Sequence, residues 1–414
     1  MRQSQLFTKS LKQVPSDETS LNAQLLIQAG FIDKLFSGVY TLLPLGLRVI
    51  KKIENVIREE INNIDGQEVY MPALHPLQNY IQTGRQDIDV LFNTELKGGS
   101  KLVLGQSHEE VVVPLMQKHI HSYKDLPTKV YQFQTKFRNE LRAKSGILRG
   151  REFMMKDLYS FHLDEEDLNE YYKLVQKAYF RIFKRCGILG STYLTFASGG
   201  SFSQFSHEFQ TLCVAGEDNI YVCDKCNLAI NEEIIDVQSD CPNCKTKKLI
   251  KHKSIEVGNI FKLKNKFSAS FDFQVTNQNG EQSDVIMGCY GIGLGRLMGT
   301  VVEISNDKEG IIWPKEIAPF NVHIILINQD NESVKVRGEE IYQNLLDMKI
   351  DVLYDDRLDS RPGEKFSLAD KIGCTKRIIV SKKNIEKGLV EIKNRATGEV
   401  EFVNIDEIVQ KLQL

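Results

Sequence analysis

The sequence has no run of about 18 consecutive apolar residues, so no segment reads as a membrane-spanning helix. Its first twelve residues, Met1 to Lys12, lack the apolar centre of a secretory signal. Cysteine is scarce as well. Eight in 414 residues are too few for a disulfide scaffold. No internal repeat and no low-complexity tract interrupts the chain. Neither charge dominates: Lys plus Arg number 53 and Asp plus Glu 55, a formal net charge of −2. That balance argues against a globally basic nucleic-acid binder and leaves room for a local basic face. Together these absences point to a soluble protein of a reducing, cytoplasmic setting. What is present is globular composition, 42% hydrophobic and 26% charged, with length for two to four domains of roughly 100–200 residues.

Patterning places the elements. Ser20 to Ala29 reads as a short helix closed by Gly30. Pro44 opens the next helix, in which Val49, Ile50, Ile53, Val56, Ile57 and Ile61 recur at helical spacing to about Asn62. Glu68 to Met71 is a short strand stopped by Pro72. From Lys129 to Glu140 the chain alternates, with Tyr131, Phe133, Thr135 and Phe137 on one face and Gln132, Gln134, Lys136, Arg138 and Glu140 on the other. A turn-like segment, Ala143 to Gly146, and a second strand, Arg151 to Asp157, complete an antiparallel hairpin with a long loop. Asp164 caps a helix to Cys186. Ile255 to Phe273 and Ser283 to Tyr290 are strand-like, and Ser305 to Pro319 reads as a linker. Beyond it the order is strand (Val322 to Ile327), helix (Ser333 to Met348), strand (Asp351 to Tyr354), helix (Lys365 to Ile372) and strand (Arg377 to Val380). That alternation predicts a small α/β domain.

Four constellations could carry chemistry. Arg138 and Glu140 project to the same side of a strand, where an Arg fork suits a phosphate oxygen and a carboxylate suits an amine or a nucleotide's polar edge. On spacing alone, a solvated face with a cross-strand ion pair is the commoner arrangement. Gly288-Cys-Tyr-Gly291-Ile-Gly293-Leu-Gly295-Arg296 leaves one strand face bare for a ligand and delivers Arg296 near a helix N-terminus. It lacks Rossmann spacing, and a packing seam fits it as well. Ser107-His108-Glu109-Glu110 follows a short apolar strand, Leu102 to Leu104. Its hydroxyl and carboxylate suit an ammonium group, and the same residues suit a helix capping box. Finally, Cys223-x-x-Cys226 and Cys241-x-x-Cys244 have the spacing of a tetrahedral structural zinc site with no open position. Cys186, Cys213, Cys289 and Cys374 read as small core residues.

Taken in order, these pieces resemble the class II aminoacyl-tRNA synthetases and, more narrowly, the prolyl-tRNA synthetases of bacterial type. Leu43-Pro-Leu-Gly-Leu-Arg48 through Met71-Pro-Ala-Leu74 is similar to motif 1, about residues 43–74. Lys136-Phe-Arg-Asn-Glu140 through Arg149-Gly-Arg-Glu-Phe-Met-Met-Lys-Asp157 is similar to motif 2, about 129–157. Gly291-Ile-Gly-Leu-Gly-Arg296 is similar to motif 3, about 288–303. Ile255 to Phe261, Gly310 to Pro314, Asp355-Asp-Arg357 and Arg361-Pro-Gly363 also look like this subfamily.

The resemblance implies an α+β fold. A six-stranded antiparallel catalytic sheet with flanking helices would occupy residues 1–319 and contain a zinc-ribbon-like insert at about 220–250. An α/β anticodon-binding domain would occupy 320–414. It implies ATP-dependent ligation of L-proline to tRNA(Pro) through a prolyl-adenylate, with Mg²⁺ on the phosphates, and a homodimer built by motif 1. By matching positions, Arg138 would bind the α-phosphate, Glu140 the adenine end or the tRNA terminus, Phe153 the adenine ring and Arg296 the γ-phosphate. Ser107 and Glu109 would hold proline, and Arg149, Arg151, Asp157 and His207 are further site candidates. The loop reads Gln106-Ser-His-Glu-Glu110 where the family has Pro-Thr-His-Glu-Glu, so a hydroxyl is kept and a methyl is lost. Lys376, Arg377, Lys382 and Lys383 are candidates for the tRNA face. The interval from Asp157 to Gly288 holds the cysteine insert and leaves no room for an editing domain of ordinary size.

Overall fold

The computed structural model of the chain describes every residue except 12, 15–17, 142, 144, 200–204, 329 and 413–414. Lys144 of the expected turn therefore lies outside the described residues. Contacts group the chain into two units: Ile53–Thr300 with Phe36–Val39, and Met1–Leu35 with Tyr40–Lys52 and Val301–Leu414. The helix Pro44–Asn62 runs through both, and its apolar stripe from Leu45 to Ile61 is buried as its periodicity predicts.

The first unit is built on nine strands. Their order is Phe205–Leu212, Thr192–Ser198, Leu228–Asn231, Asp218–Cys223, Leu249–Lys264, Ile286–Gly293, Glu152–His162, Thr128–Phe137 and Gln67–Glu68. Two neighbouring pairs are parallel, Leu228–Asn231 with Thr192–Ser198 and Gln67–Glu68 with Thr128–Phe137; the others are antiparallel. The resemblance implied six antiparallel strands. The count is higher because the cysteine insert contributes strands of its own to the sheet. The long strand Leu249–Lys264 pairs with Asp218–Cys223, with Phe205–Leu212 and with Ile286–Gly293 in turn. Its bond to Phe205–Leu212 makes five strands close into a ring of pairings.

The helix Glu165–Arg185 covers the sheet. Asp164 accepts the Asp167 N–H at 2.9 Å, acidic residues fill the first turn, and Lys184 and Arg185 fill the last, matching both ends of the helix dipole. Tyr171, Tyr172, Val175, Tyr179, Ile182 and Phe183 face inward and are buried. A β-carbon on Gly258 would stand 3.2 Å from the Tyr179 ring, so only glycine lets the helix lie this close to the strand.

The second unit holds a five-stranded sheet ordered Val352–Asp355, Val322–Leu326, Lys376–Val380, Leu389–Asn394 and Val400–Asn404. The first three strands are parallel, as the alternation predicts. The last two add an antiparallel hairpin that the sequence reading missed. Residues 305–319 are not a loose linker. Asn306–Asp307 pairs with Gly310–Ile311, Trp313 Nε1 donates to the Ile372 carbonyl at 3.0 Å, and Arg395 holds the Asp307 carboxylate with two bonds of 2.7 Å. Gly373 ends the helix Pro362–Ile372 at φ +75°, where a β-carbon would meet the Ile311 carbonyl oxygen at 2.2 Å. Among the tRNA-face candidates, Arg377 is committed elsewhere. It pairs with Asp370 at 3.2 Å and lies over the Phe366 ring.

Candidate active site

The strand Thr128–Phe137 buries both of its faces. Gln132, Gln134 and Lys136, on the face expected to meet solvent, are all buried. Buried polar groups need partners, and these partners build the floor of a cavity of about 360 Å³. Lys136 Nζ pairs with Asp157 at 2.7 Å and donates to His108 Nδ1 at 2.8 Å. The His108 proton therefore sits on Nε2, which donates to the Pro72 carbonyl at 3.1 Å. Burial and the neighbouring ammonium hold the His108 ring well below its usual range, so it stays neutral. Gln132 donates to the other Asp157 oxygen at 3.0 Å, and Tyr159 Oη receives the His108 backbone N–H at 2.9 Å. The loop that carries Glu109 is thus fixed from below at several points.

Glu109 itself is fully buried at the cavity wall. Ser107 donates to it through a short hydrogen bond, and the Cys289 thiol donates to its other oxygen at 3.3 Å. Burial lifts the Cys289 pKa far above its ordinary value, so the thiol keeps its proton. Arg85 stands 2.8 Å from Glu110 and 3.5 Å from Glu109. Three carboxyl groups, Glu109, Glu110 and Asp157, meet two cations, Arg85 and Lys136. Each cation has its nearest partner in Glu110 or Asp157, and Glu109, which shares Arg85 at the longer distance, faces the cavity. That is a binding place for one positive charge.

The opposite end carries the reverse bias. The Arg138 guanidinium lies 5.3 Å from the centre of the Phe153 ring and donates to the Gln106 carbonyl at 3.4 Å. Burial, with nearby Arg296, lowers its pKa. Arg296, in the first turn of the helix Leu294–Ile304, donates to the Leu148 carbonyl at 2.9 Å and pairs with Glu256 at 2.6 Å. Two guanidinium groups brought together in a half-buried site favour an anion between them. Beyond them, Arg149 holds Glu140 with two bonds of 3.0 and 2.8 Å and reaches Glu217 at 2.9 Å. Gly291 and Gly293 sit against this space as a bare strand face.

Eight of the residues singled out from sequence line this one cavity: Ser107, Glu109, Arg138, Glu140, Arg149, Phe153, Asp157 and Arg296. Two do not. Arg151 turns away and donates to the Glu140 and Ser37 carbonyls. His207 lies on the helix side of its strand, where it donates to Tyr172 Oη at 2.8 Å and packs against Phe196. Strand alternation sends its neighbour Glu208 to the other face. Sequence reasoning missed Arg85, Lys136, Glu256 and Glu217. Lys136 was visible beside Arg138 on the polar face of the alternation, whereas Arg85 and Glu217 carry no local signal.

Cys223, Cys226, Cys241 and Cys244 come together with all four sulfurs within 4.8 Å of one another. Each Cys-x-x-Cys turn is followed by a residue at positive φ, Asn227 at 53° and Lys245 at 59°, so the two turns have the same backbone form.

Residues 92–305 match the family model described as tRNA synthetase class II core domain (G, H, P, S and T), and residues 321–413 match the anticodon binding domain. A proline--tRNA ligase of Anaplasma phagocytophilum (strain HZ) is 39% identical over 432 aligned residues, covering 100% of both chains. The chain belongs to the proline--tRNA ligase family. The family's enzyme from Wolbachia pipientis wMel is 38% identical, with 99% of each chain covered. The proline--tRNA ligase of Desulfitobacterium hafniense (strain DSM 10664 / DCB-2) is 30% identical across an alignment of 567 residues, longer than this chain. In fold, the chain is similar to the Giardia lamblia prolyl-tRNA synthetase solved with prolyl-adenylate. That match has a TM-score of 0.77 at 20% identity and covers 93% of this chain and 73% of that one. The class II core and the C-terminal anticodon-binding domain are thus those that the motif order led us to expect, and the protein is an aminoacyl-tRNA synthetase.

Proposed function

We propose that the chain joins L-proline to tRNA(Pro) at the expense of ATP. The observation that carries this reading is the polarity of this cavity, with the buried Glu109 carboxylate at one end and two arginines at the other. Glu109 and Ser107 take the secondary ammonium of proline. Arg138 and Arg296 take the phosphates, and Phe153 offers a flat apolar surface to adenine. The proline carboxylate attacks the α-phosphorus and pyrophosphate leaves. A hydroxyl of the terminal adenosine of tRNA then attacks the prolyl carbonyl and AMP leaves. No side chain serves as nucleophile; positioning and charge stabilisation do the work. Arg138 stabilises charge developing on the α-phosphate, and Arg296, held by Glu256, takes the γ-phosphate. Glu140 and Arg149 flank the adenine end.

Asp218 and Glu256, beside Arg296, offer the hard oxygen donors that Mg²⁺ takes, and the ion would supply charge neutralisation on the phosphates. The four cysteine sulfurs fit one structural zinc ion. Cys223 and Cys244 are 3.6 Å apart, close to the edge of about 3.8 Å for a tetrahedron with bonds of about 2.3 Å. A homodimer is supported by the exposed Tyr70 and Leu74 beside the edge strand Gln67–Glu68. We further propose a boundary between catalytic and anticodon-binding domains near residue 320, and a cytoplasmic location for the enzyme. No helix among the described residues is long and apolar enough to cross a membrane.

ATP–pyrophosphate exchange against a panel of amino acids tests the reading. Proline-dependent exchange is expected, and Arg138→Ala lowers it by roughly 100-fold or more with the melting temperature held, the scale of one lost charge-stabilising donor. Exchange driven by another amino acid overturns the substrate; unchanged exchange in Arg138→Ala removes that residue's role.

A further inference from the structure

We infer that the four-cysteine metal site is coupled to the nucleotide end of the cavity through Glu217, which acts as a positioning residue. The inference rests on the zinc reading above. The strand Asp218–Cys223 is the link. At one end it delivers Cys223 to the sulfur cluster. At the other it begins beside Glu217, about 20 Å away at the rise of an extended chain. The Glu217 carboxylate accepts Ser145 Oγ at 3.0 Å on one oxygen and Arg149 Nη1 at 2.9 Å on the other. Both donors belong to the long loop between the two motif 2 strands, and Arg149 carries the bond onward to Glu140. Glu217, Ser145, Arg149 and Glu140 line one continuous space with Arg138 and Arg296. One carboxylate therefore pins the loop that flanks the adenine end.

The strand that follows that carboxylate is paired with Leu249–Lys264 on one side and with the insert on the other. The chain leaves the strand at Cys223 and returns directly opposite, at Leu249. Between these points it forms few regular bonds; the strand Leu228–Asn231 is the main one. This short strand is wedged between Asp218–Cys223 and Thr192–Ser198 and is one of the five members of the ring. Its last residue, Asn231, donates to Glu208, and the next, Glu232, accepts from Asn219, tying the insert to the same wall. The two turns meet at their sulfurs and through the Asp224–Lys248 pair at 3.0 Å, and a bound metal adds its closure of the turns as folding free energy. With the ion in place the ring is closed, the strand Asp218–Cys223 is held on both sides and Glu217 stands where Ser145 and Arg149 find it. Without it the insert opens, and the loop loses its anchor while Arg138 and Arg296 stay where the other strands hold them. The loss belongs in substrate affinity at the loop, not in the chemical step.

The experiment uses the full-length protein. Zinc is measured on purified wild type and Cys244→Ser, and KM for ATP, KM for tRNA and kcat are measured on wild type, Cys244→Ser and Glu217→Gln, with limited proteolysis of the insert as a structural readout. One zinc per chain is expected in wild type, with loss of zinc and faster cleavage of the insert in Cys244→Ser. Both variants are expected to raise KM for ATP or tRNA about fivefold, the scale of one hydrogen bond to a charged group, with kcat little changed. The double variant is expected to be no worse than either single one. Wild type without metal overturns the zinc reading. Wild type with metal, but with KM unaffected in Cys244→Ser, overturns the coupling and leaves the zinc reading intact. Glu217→Gln keeps all four cysteines, so unchanged KM in that variant, with normal zinc content, overturns the role of Glu217 even if Cys244→Ser fails to fold.

Discussion

At the residue scale, the deciding feature is how the protein treats buried charge. Lys136 has a carboxylate within 2.7 Å, as a buried cation requires. Lys156, next but one to Met154 on the second motif 2 strand, does not. Its ammonium donates to Tyr179 Oη at 2.6 Å and to the Tyr290 carbonyl at 3.0 Å, beneath the helix Glu165–Arg185. Burial lowers its pKa to about 7. Free lysine titrates near 10.4. Between these values the unfolded chain binds a proton that the folded protein does not, so stability rises with pH over that window and the full penalty is felt below pH 7. Denaturant unfolding of wild type and Lys156→Met at pH 7 and pH 9.5 checks this. The difference between the two proteins is expected to shift in favour of wild type at the higher pH; a difference independent of pH would show that Lys156 is neutral or charged throughout. Such residues explain why part of the site escaped the sequence. Arg138, Glu140, Phe153 and Arg296 stood in short motifs with local spacing. Arg85 and Glu217 reach the cavity from segments whose own sequence has no reason to be there.

At the element scale, the local rules held where one segment decides its own structure. The apolar stripe of Pro44–Asn62 and the cap at Asp164 are read directly from periodicity and side-chain chemistry. Asp164→Ala removes the acceptor for the Asp167 N–H and an acidic group at the positive end of the dipole. A loss of about 1 kcal/mol is expected, seen as a fall of roughly 2–4 °C in the melting of this unit; an unchanged melting curve means that the tyrosine packing alone holds the helix. Local rules failed where a neighbour decides. The alternation of Lys129 to Glu140 was correct, but the polar face looked like a solvated one, because a single strand does not show what will cover it. Likewise Ser305 to Pro319 has no periodicity, and its order comes from single contacts, Trp313 to Ile372 and Arg395 to Asp307, with partners distant in sequence. The final hairpin, Leu389–Asn394 with Val400–Asn404, follows the same logic, since a five-residue turn lies between two modest strand signals.

At the scale of the whole molecule, length becomes a functional statement. A pocket that binds proline by its ammonium and apolar ring must also admit alanine, which is smaller. A hydrophobic pocket rejects a substrate short of one methylene by only about 10- to 200-fold, so some alanine is expected to be activated. Relatives such as the Desulfitobacterium hafniense enzyme align over 567 residues, and this chain fills that alignment with 414. What fills the interval between motifs 2 and 3 here is the sheet, its covering helix and the cysteine insert. The protein is therefore expected to form alanyl-tRNA(Pro) slowly and to leave it intact. Alanine-dependent pyrophosphate exchange should be detectable, and purified protein added to preformed alanyl-tRNA(Pro) should not speed its decay beyond the spontaneous rate. Rapid deacylation would mean that the synthetic cavity, or a surface within the insert, clears the product itself. In that case Cys244→Ser, which opens the insert, distinguishes the two, because only hydrolysis housed in the insert is lost with the metal.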